Sequence, residues 1–259
     1  MRYFINLQYN GSSFSGWQRQ PNAMTVQETI EKALSNLLRS DIQITGCGRT
    51  DAGVHASQYY AHFDHMPIDT DHIRFKLDQM IGNDIYIENI FEVPADTHAR
   101  FSAERRAYHY FLSGKKHVFS KGFYWHYPLF HKVDWAVVNE LTAMITQFEE
   151  FKPFCKSDSG LDSFKCLNVR ADWEMDPHSG SAIFHIESNR FLRGMVRLIV
   201  GTCMYAGNGK LSIDQVKTAL EEQSPLVKAY AAPPEGLFLS MIEYPFIESN
   251  PPRRPTNFF

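Results

Sequence analysis

Hydrophobic and polar positions along the chain fall into two rounds of one series of elements. In the first, residues 2–9 alternate as a strand does, placing Tyr3, Ile5, Leu7 and Tyr9 on one face. Thr25-Val26-Gln27-Glu28 fits a capping box. The apolar stripe Val26, Ile30, Ala33, Leu34, Leu37 and Leu38 behind it predicts an amphipathic helix. Strands are expected over 42–47 and 58–63, then a helix over 71–80 and a strand over 85–93. In the second round a strand over 106–113 precedes a helix from 134 to about 148. Two long strands follow, near 164–175 and 182–188, joined by the turn Asp176-Pro177-His178-Ser179-Gly180. Helices near 191–205 and 212–221 lead to a last strand over 237–243.

Each round reads β-α-β-β-α-β, the second with insertions. That is the ferredoxin-like order, and the fold class expected is α+β with two tandem halves. Pro94-Ala95 marks the joint, giving domains of 1–95 and 96–259. The end of the chain, Asn250-Pro251-Pro252-Arg253-Arg254-Pro255, reads as a mobile tail or one ordered on contact.

Composition narrows the class without choosing a function. With 259 residues, 44% hydrophobic and 21% charged, the chain reads as a soluble globular protein. No secretory leader is expected from Met1-Arg2-Tyr3-Phe4-Ile5-Asn6, and the best apolar stretch, 191–205, is too short for a membrane span and carries Arg193 and Arg197. Cys47, Cys155, Cys166 and Cys203 form no Cys-x-x-Cys pair, in keeping with a reducing, cytoplasmic compartment. His62-x-x-His65 is the nearest approach to a metal-ligand spacing, but no acidic or cysteine set completes it, so no metal is expected. A P-loop, a dinucleotide fingerprint and a serine-hydrolase elbow are all missing, so no nucleotide cofactor is expected.

Net charge is −3, with 12 acidic against eight basic side chains in residues 1–100. Local basic clusters therefore matter more than the total for any polyanionic partner. Two stand out: residues 100–106 continuing to Lys115-Lys116-His117, and Arg190, Arg193 and Arg197.

Three segments carry candidate chemistry. Gly46-Cys47-Gly48-Arg49-Thr50-Asp51-Ala52-Gly53-Val54-His55-Ala56 sets one carboxylate in a glycine-rich turn between two strands. Asp51 either stabilises its own turn through backbone amides or, with Arg49 on the same side two residues away, is an ionised nucleophile or base. Arg190, Arg193 and Arg197 fall at i, i+3 and i+7, one face of an otherwise apolar helix. That face is either a solvated stripe or the wall of a cleft holding an anion. Arg100-Phe101-Ser102-Ala103-Glu104-Arg105-Arg106-Ala107-Tyr108-His109-Tyr110 mixes cations and aromatic rings, as groups that hold phosphates and stack bases do. Core packing is the ordinary alternative for Tyr108 and Tyr110.

Together these segments resemble the tRNA pseudouridine synthase A family. The resemblance is carried by Gly16-Trp17-Gln18-Arg19-Gln20, Val26-Gln27-Glu28, Gly48 to Ala56, and His98-Ala99-Arg100-Phe101-Ser102-Ala103. It continues in Tyr108-His109-Tyr110, Asn189-Arg190-Phe191-Leu192-Arg193-Gly194-Met195-Val196-Arg197 and Glu235-Gly236-Leu237-Phe238-Leu239. It implies a pseudouridine-synthase fold in which the two sheets meet at a central basic cleft. It also implies cofactor-free isomerisation of uridine to pseudouridine in the anticodon stem-loop of tRNA, at positions 38, 39 and 40.

In the family the aspartate matching Asp51 is catalytic, as a nucleophile on the ribose C1′ or the base, or alternatively in proton abstraction. Arg197 matches the residue that pairs with and orients it, and Tyr108 the tyrosine that stacks on the target base and helps remove the C5 proton. Arg49 matches an arginine that displaces the base, which must leave its stack to react. Arg19, Arg100, Arg190 and Arg193 are the remaining candidate tRNA contacts. The resemblance further implies a cytoplasmic homodimer with one tRNA spanning both subunits, and no membrane. Residues 150–170, including 157–161, fall where the family varies. The rival readings are an RNA-binding module without catalysis and an isomerase acting elsewhere on RNA.

Overall fold

A computed structural model describes residues 1–156, 161–176 and 178–248. The expected tail at 250–255, most of segment 157–161 and Pro177 of the expected turn lie outside the described residues. The chain forms two compact units, one of Met1–Arg105 with the segment that begins at Phe238, the other of Arg106–Leu237. The architecture is α+β, with mostly antiparallel strands and, among the described residues, five α-helices.

In the first unit the order is β1 (Arg2–Tyr9), α1 (Val26–Leu38), β2 (Thr45–Gly46), β3 (His55–Asp64), α2 (Thr70–Met80) and β4 (Ile85–Val93). β1 lies between β4 and β3, antiparallel to both, and β2 pairs antiparallel with β3. The alternation expected for β1 is only half of the outcome, because residues 3–7 are all buried. A central strand is covered on both faces, and here Phe4 enters an aromatic cluster with Phe91, Tyr244 and Phe246 while its neighbours fill the other side.

Thr25 caps α1 by accepting the Glu28 N–H at 3.3 Å. Glu28 turns to Lys32 at 2.9 Å. Arg39 ends the helix in the left-handed region. β2 is two residues long, so the strand expected over 42–47 shrinks; Ile42 and Ile44 are buried outside it, the Ile44 N–H held by the buried Glu31 carboxylate at 3.0 Å.

The second unit holds β5 (Arg105–Ser113, its first residue in the other unit), β6 (Trp125–His126), α3 (Trp135–Ile145), β7 (Arg170–Asp176), β8 (Ser181–Ser188), α4 (Met195–Gly207) and α5 (Ile213–Glu221). β9 (Leu237–Glu243) closes the series and, in the first unit, runs parallel to β3 through His55↔Phe238 and Ala56↔Leu239. β8 is antiparallel to both β5 and β7, and β6 is parallel to β5. The long strand expected from 164 starts only at Arg170. Before it, the chain is held by an isolated bridge, Glu150↔Lys165, and by Asn189. α4 is apolar nearly all round: of its 13 residues only Arg197 and Tyr205 escape full burial. Among the described residues no helix is long and apolar enough to cross a membrane.

Candidate functional site

The Asp51 turn is held by backbone approaches that leave no room for side chains. Gly16 sits at φ +92°, and a Cβ there would meet the Thr50 carbonyl oxygen at 2.5 Å. At Gly11 it would meet the Val54 oxygen at 2.0 Å. Both contacts are with backbone that cannot step aside, so glycine is required at each position. Hydrogen bonds close the same surfaces: Trp17 N–H donates to Thr50 O (3.3 Å), Gly53 N–H to Phe14 O (3.2 Å) and Val54 N–H to Asp51 O (3.2 Å).

Side chains finish the bracing. The Tyr9 hydroxyl meets Thr50 Oγ1 at 2.8 Å in a buried position, and the Tyr59 hydroxyl donates to Gly48 O at 2.6 Å. The Trp17 ring stacks on Tyr59 with centroids 4.0 Å apart. His55, buried and stacked on Phe238, accepts the Gly11 N–H on Nδ1 at 3.0 Å. Asp51 itself is half-buried. Arg49 is exposed and forms no ion pair among the described residues, so the guanidinium two residues before Asp51 points to solvent instead of pairing with it.

Two other candidates of this unit are placed differently. Arg19 is exposed, 3.9 Å from Glu28 and 3.7 Å from Glu31 on α1. Arg100 lies over the exposed Phe101 ring at 5.4 Å. Their turn is fixed by His98, whose Nδ1 accepts the Arg100 and Phe101 N–H groups at 3.0 and 3.3 Å. Below it, His62 Nδ1 accepts the Ala99 N–H at 3.1 Å. Burial, aided by Arg2 and His98, lowers His62 to about 4, keeping that acceptor neutral. His62 is thus a structural acceptor, and no group of three potential metal ligands occurs among the described residues.

In the second unit Tyr108 lies on β5 opposite Ile186, half-buried, with Phe191 edge-on to its ring at 5.0 Å. Its neighbour Tyr110 is fully buried, its hydroxyl donating to Pro233 O at 2.8 Å. Tyr110 is therefore core, whereas Tyr108 keeps part of its face accessible.

The helix expected over 191–205 begins only at Met195, because Gly194 precedes it at φ +73°, a conformation no helix continues through. Arg190 and Arg193 therefore lie in the connection before α4 and do not share a helical face with Arg197. Arg193 is exposed and Arg190 half-buried. Arg197 is held by a strap along the helix: its Nε donates to Ala232 O at 2.6 Å, and its own carbonyl accepts the Ala232 N–H at 2.9 Å. One turn on, Gly201 admits the Tyr230 carbonyl where a Cβ would stand only 1.8 Å away. Tyr205 then stacks on Tyr230 at 5.2 Å. The two residues of α4 that are not fully buried are thus the two that grip this strap.

The connection itself is pinned at Asn189. Its Oδ1 accepts the Leu167 N–H at 2.7 Å, and its carbonyl accepts Arg106 Nη1 at 2.7 Å. The sequence assigns no individual role to Asn189, Phe191, Arg106 or Ala232, although the first three lie inside quoted segments. A polar residue ending a strand just before a loop is the signal that was available for Asn189. All four cysteines are free thiols, and burial raises Cys166 and Cys203 to about 12, leaving them inert.

Comparison with known proteins fixes the family. The family model described as tRNA pseudouridine synthase matches residues 6–102 and 149–245. The tRNA pseudouridine synthase A of Bacteroides fragilis is 38% identical over 246 residues, covering 94% of this chain and 96% of that protein. That of Porphyromonas gingivalis is 39% identical over 248 residues, covering 94% and 97%. That of Streptococcus mutans is 36% identical over 249 residues, covering 94% and 99%. The braced Asp51 turn falls in the first matched stretch and the Asn189–Arg197 connection in the second, and the chain belongs to the tRNA pseudouridine synthase A family of isomerases.

Proposed function

We propose that this chain isomerises uridine to pseudouridine in the anticodon stem-loop of tRNA, at positions 38, 39 and 40, with Asp51 as nucleophile. The observation that carries the reading is the Asp51 turn: a half-buried carboxylate on a backbone fixed by Gly11, Gly16, Thr50 and Tyr59. Such fixing pre-organises a reactive group before substrate arrives. Attack by the carboxylate cleaves the C1′–N1 bond and leaves its electron pair on the uracil. The ring turns and C5 attacks C1′, breaking the bond to Asp51 and releasing its carboxylate; C5 then loses a proton and N1 gains one. Atoms and electrons balance without an oxidant or cofactor.

The remaining roles follow from chemistry. Arg197, its direction set by Ala232, serves as the cation that pairs with Asp51 and orients it. Tyr108, backed by Phe191, offers a flat face to the extruded base and a hydroxyl near C5. This reading requires Asp51, Tyr108 and Arg197 to act on one uridine. Arg49, exposed beside Asp51, suits the displacement of that base, and Arg19, Arg100, Arg190 and Arg193 suit phosphate contacts. Two tandem ferredoxin-like halves, 1–95 and 96–259, are supported by the element order along the chain, β1-α1-β2-β3-α2-β4 and then, with β6 and α5 inserted, β5-α3-β7-β8-α4-β9. The cytoplasmic homodimer and the three tRNA positions rest on the family resemblance.

The test is incubation with unmodified tRNA and mapping of pseudouridine by chemical derivatisation. Asp51→Asn is expected to lose at least about 10³-fold in kcat while still binding tRNA. Activity surviving in that variant would remove Asp51 from its role. Wild-type binding without product would favour a non-catalytic RNA-binding module, and product at other uridines would move the substrate site.

A further inference from the structure

The turn that follows β5 has a chemistry that the isomerisation does not use. Residues 114–133 contain Lys115, Lys116, Lys121 and Lys132, three histidines, and no aspartate or glutamate. The base of the turn is firmly tied. Gly114 N–H donates to Gly180 O at 2.9 Å, Lys115 N–H to Ser113 Oγ at 3.1 Å and His117 N–H to the Tyr124 hydroxyl at 2.6 Å. A 3₁₀ turn then carries Val118 and Phe119 outward, Val118 74% exposed and Phe119 wholly so. Lys116 and Lys121 flank this tip, both exposed and without an ion pair among the described residues.

A single exposed apolar residue is ordinary. Two in a row on a braced tip, ringed by cations with no acid within the segment, match a polyanion that also presents flat apolar faces. A two-fold contact with a second copy would instead set lysine against lysine. From Tyr108 to Ser113 is five residues of extended strand, about 17 Å at ~3.3 Å per residue, so the tip stands away from the base that Tyr108 serves.

We propose that the 115–121 turn is an RNA grip, in which Lys116 and Lys121 contact phosphates of the tRNA and Phe119 packs on a base or ribose remote from the reacting uridine. This rests on the tRNA substrate proposed above, deepening it with a second contact point. Removing both lysines as Lys116→Gln/Lys121→Gln is expected to lower the slope of log Kd against log salt by about 1–2 and to raise KM, with kcat unchanged. Phe119→Ala is expected to weaken binding about fivefold or more with that slope unchanged, and Phe119→Trp to restore it.

The experiment uses the full chain and one transcribed tRNA, with Kd by filter binding over a salt series, product mapped separately, and sedimentation of each variant. Unaltered Kd and slope in both variants would overturn the grip. So would altered self-association at unchanged tRNA affinity, which would assign the tip to a second copy, and so would failure of the wild type to bind tRNA. Wild-type binding without pseudouridine would sink the isomerase reading alone, since the salt slopes still decide the grip.

Discussion

The Asp51 turn and the Asn189–Arg197 connection both present charged residues from irregular backbone, yet they are held by opposite means. Around Asp51 the constraint is steric: two glycines admit backbone at 2.0 and 2.5 Å from where a Cβ would be. Around Arg190–Arg197 it is a set of directed bonds, from Leu167 and Arg106 to Asn189 and from Arg197 to Ala232. Close packing fixes a position tightly and tolerates no change. Directed bonds fix orientation, and losing one costs about 1 kcal/mol with the rest of the chain in place. The first arrangement suits the nucleophile proposed at Asp51, which would have to meet one carbon atom. The second suits arginines that orient a neighbour or hold phosphates.

The largest effect should therefore come from the sterically closed region. Gly16→Ala places a methyl 2.5 Å from Thr50 O at φ +92°, and the nearest atoms are all backbone of residues 50–52. A left-handed residue and an unavoidable clash together should destabilise the fold by about 3 kcal/mol. The Asp51 turn must shift to relieve it, so kcat should fall at least about tenfold, read in the pseudouridine assay beside a thermal melt. Wild-type stability and kcat would show that the turn is not sterically closed.

Asn189→Ala tests the other region. It removes the acceptor for the Leu167 N–H while leaving the Asn189 carbonyl that Arg106 holds. The expected loss is about 1–2 kcal/mol, or a few degrees in Tm. Through looser placement of Arg190 and Arg193, KM for tRNA should rise more than kcat falls. Equal damage to both would mean that the connection acts in the chemistry and not in binding.

The same contrast explains what was legible in the sequence. The Asp51 turn declared itself through the glycines at 46, 48 and 53, visible in one dimension, whereas Gly11 and Gly16, which admit its backbone closely, lie far earlier in the chain and carried no such signal. Also legible was the cap at Thr25, which acts on its own next turn, as Asp134 and Ser212 do at the helix starts expected there. The start of α4 was not legible from periodicity, since apolar residues on both sides of Gly194 continue a helical pattern that only its positive φ interrupts. The strand expected from 164 failed because residues 164–167 take their partners from Glu149, Glu150, Phe151 and Asn189, outside any local pattern. The Arg197–Ala232 strap spans 35 residues and carries no local signal.

Gly194→Ala is the mildest test and the one that divides the two regions most cleanly, because it repeats the chemistry of Gly16→Ala without the steric wall. Gly194 also has positive φ, so alanine pays the left-handed penalty of about 1–2 kcal/mol. The atoms nearest its added methyl, however, are those of the Lys156 side chain at 3.1–3.2 Å, a flexible chain that can swing aside. The helix can relieve part of the strain by starting one residue earlier or later, since the backbone bonds at its very start, Met195 N–H to Leu192 O and Leu198 N–H to Gly194 O, run back into the connection. A loss of about 1 kcal/mol with kcat and KM within twofold of wild type is expected from melts and steady-state assays. A drop as large as that of Gly16→Ala would mean that the backbone at 194 is as tightly specified as the turn beneath Asp51, and the division between a packed turn and a hydrogen-bonded connection would fail.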